Sequence, residues 1–278
     1  MQKRKTVLDL QKMKADNQKI VMTTAYDFSM AQLVDRAGVD AVLVGDSVGM
    51  VVQGHSDTLS VTVDEMIYHA KCVNRGLAQA HLIVDMPFMS YQSSVELALK
   101  NAGRLMKEGR GQSVKLEGGE KIAPQIEAIV SAGIPVVGHL GLTPQSVNTL
   151  GGYRLQGRSI EARERLKKDA QILEEAGASL LVLEMVPTSL AAEVSELLSI
   201  PTIGIGAGVY CDGQVLVCND LLGMNLSFTP KFLKRFALLE ENIIEAFGAY
   251  IQEVRAGIFP APENSFGGKK PKEVARLY

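Results

Sequence analysis

Short apolar runs alternate with segments of helical spacing from one end of this chain to the other. Eight runs have the length of strands: 20–24, 41–46, 81–85, 113–117, 134–139, 180–184, 201–206 and 214–218. Continuous apolar runs of this kind mark parallel strands buried on both faces. Helical patterning fills the intervals, over 29–37, 63–75, 95–107, 124–131, 161–176, 190–198 and 230–254. Several helices end at a glycine ahead of the next strand, at Gly38, Gly109, Gly133 and Gly177, where a left-handed residue can close the helix. The alternation requires a parallel sheet with right-handed crossovers. Eight repeats in about 250 residues match a closed (β/α)8 TIM barrel, and spacing alone leaves an open doubly wound sheet as the alternative. No linker composition interrupts residues 1–278, which read as one domain with an N-terminal helix. The glycine-, proline- and lysine-rich stretch 257–278 reads as an extended C-terminal tail.

Four of the runs end in a carboxylate: Asp46, Asp85, Glu117 and Glu184. The carboxyl ends of the strands are where an α/β barrel builds its active site. Carboxylates converging on one mouth repel each other unless a cation neutralises them, so the pattern points to a divalent-metal enzyme. Asp46 and Asp85 suit a hard cation such as Mg²⁺, although a single strand-terminal Asp can equally cap the turn that follows it. Lys115 and Glu117 are two apart and share one face of their strand. They form either a structural ion pair or a substrate grip beside a carboxylate that completes the metal shell through water. His139 ends its strand, where it can bond a polarised oxygen, orient a carboxylate or serve only the structure. Glu184 has almost wholly apolar sequence neighbours, surroundings that suit a carboxyl to taking and returning a proton. A further metal ligand is its rival role. His55, His69 and His81 have no partner at suggestive spacing.

Two connections are longer than usual for this architecture, 47–62 and 141–159, and both follow strand ends. They are expected over the mouth, as lids or substrate-shaping loops. The stretch Gly204-Ile205-Gly206-Ala207-Gly208 leads toward another strand and not a helix, so it reads as close backbone packing and not a dinucleotide loop.

Composition narrows the partners. A formal net charge of −2 over 278 residues gives no reason to expect nucleic acid or an anionic membrane. The apolar runs are far shorter than a membrane span, and the basic N-terminus lacks the apolar segment of a signal peptide. Cys72, Cys211 and Cys218 lack metal-ligand spacing and read as buried free thiols in a reducing cytosol.

Five motifs occur together and in order. They are Gly45-Asp46-Ser47, Val84-Asp85-Met86-Pro87-Phe88 and Val114-Lys115-Leu116-Glu117-Gly118-Gly119, then Gly138-His139-Leu140-Gly141-Leu142-Thr143-Pro144-Gln145 and Gly204-Ile205-Gly206-Ala207-Gly208. On these the chain, from about Lys19 to Pro260, resembles the 3-methyl-2-oxobutanoate (ketopantoate) hydroxymethyltransferase family. The resemblance implies a (β/α)8 barrel that passes a hydroxymethyl group from 5,10-methylenetetrahydrofolate to 3-methyl-2-oxobutanoate. It further implies 2-dehydropantoate as the product, a Mg-stabilised enolate on the way to it, and pantothenate biosynthesis as the pathway. By position, the resemblance implies Asp46 and Asp85 as Mg²⁺ ligands with Glu117 close to the metal. It implies Ser47 and Lys115 as contacts to the ketoacid, and Glu184 as the proton acceptor. A cytoplasmic homo-oligomer, typically a decamer, is also implied. The phosphoenolpyruvate mutase and isocitrate lyase group is similar in its barrel and its Gly-Asp-Ser-like turn. Its lyases carry a Lys-Lys-Cys-Gly-His loop that this chain lacks. A non-catalytic barrel that senses folate or ketoacid would not need all of these charged residues together.

Overall fold

The computed structural model describes residues 4–225 and 229–266. The chain opens with α1 (Val7–Ala15), β1 (Ile20–Thr24), α2 (Phe28–Ala37) and β2 (Ala41–Val44), followed by the short α3 (Val48–Val51). It continues through α4 (Val63–Gly76), β3 (His81–Asp85), α5 (Val95–Lys107), β4 (Ser113–Glu117), α6 (Ala123–Ser131) and β5 (Val136–Gly141). The short α7 (Val147–Leu150), α8 (Ile160–Glu175), β6 (Leu180–Glu184), α9 (Thr188–Leu197), β7 (Thr202–Ile205) and β8 (Gly213–Leu216) complete the barrel. Beyond it come α10 (Cys218–Leu221) and α11 (Leu239–Ala256). All eight strands are parallel, each pairs with the next, and β8 pairs with β1, so the sheet is closed. The closed barrel settles the choice that spacing had left open.

Alternation along each strand divides the core in two. Val42, Val44, Leu82, Val84, Val114, Leu116, Leu181 and Leu183 pack outward against the helices. Met22, Leu43, Ile83, Val137, Val182, Ile203 and Val215 fill the interior. Leu10, fully buried on α1, joins the interior cluster, so the N-terminal helix stops the lower end of the barrel. A capping box between Thr6 and Asp9 starts that helix, and Lys14 bonds the carbonyls of Ser195 and Ile200 and pairs with Asp212.

Three of the four expected helix-closing glycines are left-handed: Gly38, Gly133 and Gly177. After α5 it is Arg110, and not Gly109, that has the positive φ, at 63°. A Cβ at Gly109 would meet the carbonyl oxygen of Leu105 at 2.6 Å, so this glycine serves close packing instead. The helix expected over 230–254 begins only at Leu239. The residues before it cross the barrel mouth, with Phe236 N–H donating to Leu221 O and Leu239 N–H to Leu222 O. Cys211 and Cys218 are buried free thiols as expected, whereas Cys72 is only half-buried. The tail is described as far as Phe266, and residues 267–278 of the expected extension lie outside the described residues. Among the described residues no helix is long and apolar enough to cross a membrane.

Candidate active site

Strand register brings most of the expected residues onto one arc of the barrel wall. Asp85 on β3 is the register partner of Lys115 on β4, and Glu117 is the partner of His139 on β5. Glu184 at the end of β6 pairs in register with Gly141. Counting by twos from the interior residues Ile83, Val137 and Val182 places Asp85, His139 and Glu184 on the inner face, and their register partners Lys115 and Glu117 share it. The face shared by Lys115 and Glu117 is therefore the inside of the barrel. β2 ends at Val44, so Asp46 stands in the turn after the strand and Ser47 at the start of α3. Gly45 permits this turn, because a Cβ there would meet Ser47 Oγ at 2.8 Å and Asp85 Oδ2 at 3.4 Å.

The charged side chains form one network. Lys115 Nζ lies 3.2 Å from Asp85 Oδ1, 3.8 Å from Glu117 Oε1 and 3.2 Å from His139 Nδ1. Asp46 N–H donates to Asp85 Oδ2 at 3.1 Å, tying the two aspartates together. His139 stands between two carboxylates, with Nδ1 3.3 Å from Glu117 Oε1 and Nε2 3.4 Å from Glu184 Oε2. The Glu184 contact lacks hydrogen-bond alignment, which leaves that ring nitrogen ready to bond once the carboxylate shifts. Glu184 is thus not in wholly apolar surroundings; its side chain is 16% exposed toward the cavity and faces an imidazole. The neighbours that break the apolar pattern come from another strand and are invisible in the local sequence.

Burial and like charge govern the protonation of the cluster. Burial, then Asp85 and Glu117, push the Asp46 carboxyl well above the ordinary range. Burial raises Asp85 too, against the opposing pull of Lys115. For Glu117 burial acts in the same sense, but His139, Lys115 and the Gln145 N–H together outweigh it and hold that carboxyl low. Burial disfavours the Lys115 ammonium, yet Asp85, Glu117 and Asp46 hold its pKa above the ordinary value. His139 is opposed by burial and by Lys115, and its contacts with Glu117 and Glu184 still raise it.

Ionised together, the three buried carboxylates would outnumber the one ammonium, a surplus of negative charge that a divalent cation would neutralise. No group of three or more His, Cys, Asp or Glu side chains among the described residues converges tightly enough to enclose a metal. Mg²⁺ needs no such cage, since one or two carboxylates hold it while water and substrate oxygens complete its octahedron. Asp46 and Asp85 supply hard oxygens of the right kind. Glu117 is engaged by His139, Lys115 and the Gln145 N–H, so it would reach such an ion through water.

Above the cluster lies a cavity of about 780 Å³. Both long loops reach it as expected: Met50 and His55 come from one and Tyr153 from the other, and Tyr153 Oη meets Met50 Sδ at 3.7 Å. The segment after β8 closes the third side with Asn219, Lys231 and Phe232. Gly206 belongs to this wall, since a Cβ there would meet the Phe232 ring at 2.8 Å, the close packing expected of the glycine-rich stretch.

Sequence reasoning missed three residues of the site. Tyr26, just after β1, shares a hydrogen bond of 2.8 Å with Ser47 Oγ. Tyr91 and Gln145 support Glu117, Tyr91 Oη accepting from Glu117 N–H at 3.0 Å and Gln145 N–H donating to Glu117 Oε2 at 3.0 Å. Gln145 stood inside a quoted motif without a role, and Tyr91 had no signal beyond its place after a strand. The unassigned histidines divide: His55 lines the cavity, while His69 Nδ1 meets Tyr26 O at 2.7 Å and His81 lies low in the barrel.

Residues 4–262 match the sequence model of a family described as ketopantoate hydroxymethyltransferase. The chain is 56% identical over 266 residues to a 3-methyl-2-oxobutanoate hydroxymethyltransferase of Syntrophotalea carbinolica, covering 96% of this chain and 100% of that one. To the enzyme of the same name from Enterococcus faecalis it is 54% identical over 261 residues, covering 94% and 95%. Among solved structures it is similar to phosphonopyruvate hydrolase in complex with oxalate and Mg²⁺, with a TM-score of 0.63 at 10% identity and coverage of 96% and 93%. It is also similar to 2,3-dimethylmalate lyase, a member of the PEP mutase/isocitrate lyase superfamily, with a TM-score of 0.59 at 17% identity and coverage of 94% and 91%. At those identities the structural likeness is one of fold.

Proposed function

The chain belongs to the ketopantoate hydroxymethyltransferase family, and from that premise we propose that it makes 2-dehydropantoate for pantothenate biosynthesis. The substrates in this reading are 3-methyl-2-oxobutanoate, 5,10-methylenetetrahydrofolate and water, and tetrahydrofolate is released. The observation that carries the proposal is the inward-facing arc Asp85, Lys115, Glu117, His139 and Glu184, with Asp46 and Ser47 beside it.

Asp46 and Asp85 would hold Mg²⁺, with Glu117 reaching it through water. When bound, the ion supplies Lewis-acid polarisation of the 2-oxo group, which acidifies the proton on C3. Lys115 carries the positive charge that binds the ketoacid carboxylate, and Ser47 offers its hydroxyl to the same substrate. Glu184, partly open to the cavity, takes the C3 proton. His139, with Nε2 3.4 Å away, would bond that carboxylate once it shifts into line. The carbon freed of its proton forms the new C–C bond to the one-carbon unit of the folate. Both C–N bonds of the methylene bridge break, water supplies the hydroxyl oxygen, and the folate nitrogens take the protons. The folate enters between the loop residues Met50 and Tyr153 and the Lys231–Phe232 segment.

We further read residues 1–278 as one domain acting in the cytoplasm. The large apolar residues exposed on α11, Ile244 at 64% and Phe247 at 63%, support assembly into a homo-oligomer, the decamer that the family resemblance implies.

The test is deuterium exchange at C3 of 3-methyl-2-oxobutanoate in D₂O, followed by NMR with and without Mg²⁺. Metal-dependent exchange is expected. Glu184→Gln should slow it by about 10²- to 10⁴-fold. Exchange at the wild-type rate in that variant would sink the base assignment. No exchange in the wild type, even with tetrahydrofolate and formaldehyde, would sink the function.

A further inference from the structure

Gln145 sits in the 3₁₀ turn Pro144–Ser146 that follows β5, and it is buried. Its side-chain oxygen, Oε1, accepts from Tyr91 Oη at 2.8 Å and from Gln92 Nε2 at 2.9 Å. The opposite end fixes which atom is which, because Met86 O can only accept and a flipped amide would set an oxygen against it. Nε2 must therefore face the opposite way, where it donates to Asp46 Oδ2 at 2.8 Å and to Met86 O at 2.9 Å. The main-chain N–H of the same residue donates to Glu117 Oε2 at 3.0 Å. One residue thus holds two of the three clustered carboxylates, through two different groups.

The consequence for Asp46 is specific. Its Oδ2 is engaged by the amide, and among the described residues no hydrogen bond reaches its Oδ1. Turning the carboxylate to bring both oxygens equally onto one ion would pull Oδ2 off the line of its bond from Gln145 Nε2 and weaken that bond. We propose that Gln145 is a positioning residue which, locked by Tyr91 and Gln92, makes Asp46 offer a single oxygen to a divalent cation. Single-oxygen donation suits the small octahedral shell of Mg²⁺ and Mn²⁺. The larger, more flexible shell of Ca²⁺ accepts a carboxylate through both oxygens. Gln145 therefore governs which cation the site prefers, an inference that rests on the metal reading above.

The experiment measures binding of Mn²⁺ alone by electron paramagnetic resonance, and of Ca²⁺ by its competition, with no substrate present. Asp46→Asn checks that the wild-type signal comes from this site. Gln145→Met keeps side-chain length and the main-chain bond to Glu117 but loses the amide. It should weaken Mn²⁺ by about tenfold, the usual cost of losing a group that orients a metal ligand. Ca²⁺ should change by less, so discrimination between the ions narrows. Gln92→Met should weaken Mn²⁺ in the same direction, and the double variant should be no weaker than Gln145→Met, because the Gln92 amide reaches Asp46 only through that of Gln145. Unchanged Mn²⁺ binding, equal weakening of both ions, or additive losses would overturn the inference and leave the metal reading standing. A wild-type chain that binds no Mn²⁺ would overturn both. Should Gln145→Met not fold, Gln92→Met removes one of the two locks from a half-buried position. It should then weaken Mn²⁺ by about threefold, the loss of one neutral hydrogen bond, and an unchanged value would overturn the inference.

Discussion

Strands β3 and β4 each carry a polar residue at both ends of their inward faces, and the two ends of the barrel treat them in opposite ways. At the floor His81 and Ser113 meet at 2.7 Å, and Lys5 O lies 3.2 Å from His81 Nδ1. A carbonyl only accepts, so Nδ1 donates to it and Nε2 accepts from the serine hydroxyl, which consumes every polar atom of a neutral imidazole. Burial drives the His81 pKa down to about 4, keeping it neutral. At the mouth Asp85, Lys115 and Glu117 keep their polar atoms beside an open cavity, with carboxylates in excess. The same strand geometry thus yields a sealed polar pair at one end and a charged receptor at the other. What differs is whether the chain itself supplies all the partners.

That contrast can be broken most forcefully at Lys115. Lys115→Met removes the one ammonium among three buried carboxylates and should cost about 3–5 kcal/mol of stability, read by urea unfolding in the presence of a chelator. Added Mg²⁺ should restore part of it, whereas no floor variant should respond to metal. A loss below about 1 kcal/mol would mean that the mouth is as self-sufficient as the floor. Acid should reach the floor next. His81 has a folded pKa of about 4 against 6.5 unfolded, so the unfolded chain binds the extra proton between those values. The stability it contributes is complete above pH 6.5 and is lost as pH falls toward 4. The loss amounts to roughly 3 kcal/mol. Other groups titrate in that window, so the readout is the wild-type slope minus that of His81→Gln, and equal slopes would refute the assignment. The smallest effect is expected at Ser113→Ala, about 1–2 kcal/mol for stranding His81 Nε2. Its exchange rate at C3 of the ketoacid should stay that of the wild type.

The barrel was legible in the sequence because its signals are local. The strands at 20–24, 81–85, 113–117 and 180–184 and the helix at 95–107 have the bounds that their apolar runs set. The helix expected from residue 230 was not, because tertiary contacts hold 229–238 across the cavity mouth and override a helical pattern. The charged arc was legible in part, since strand-terminal carboxylates announce themselves. Which face Lys115 and Glu117 used needed the neighbouring strands. Gln145 and Tyr91 were out of reach for a plainer reason: Gln145 lies 99 residues from Asp46, and Tyr91 lies 26 from Glu117. No periodicity encodes a contact of that range.

The plug that Leu10 and its helix set into the lower end of the barrel bears on the timing of turnover. A cavity stopped below opens upward, so what enters and what leaves use the same end. The ketoacid would lie deepest, against Lys115, and the folate would lie over it beneath the loops. The deeper molecule must then arrive first, and its product must depart after the folate has gone. On the proposed reading, the helix that seals the floor would thereby set the kinetic sequence of a reaction it never touches.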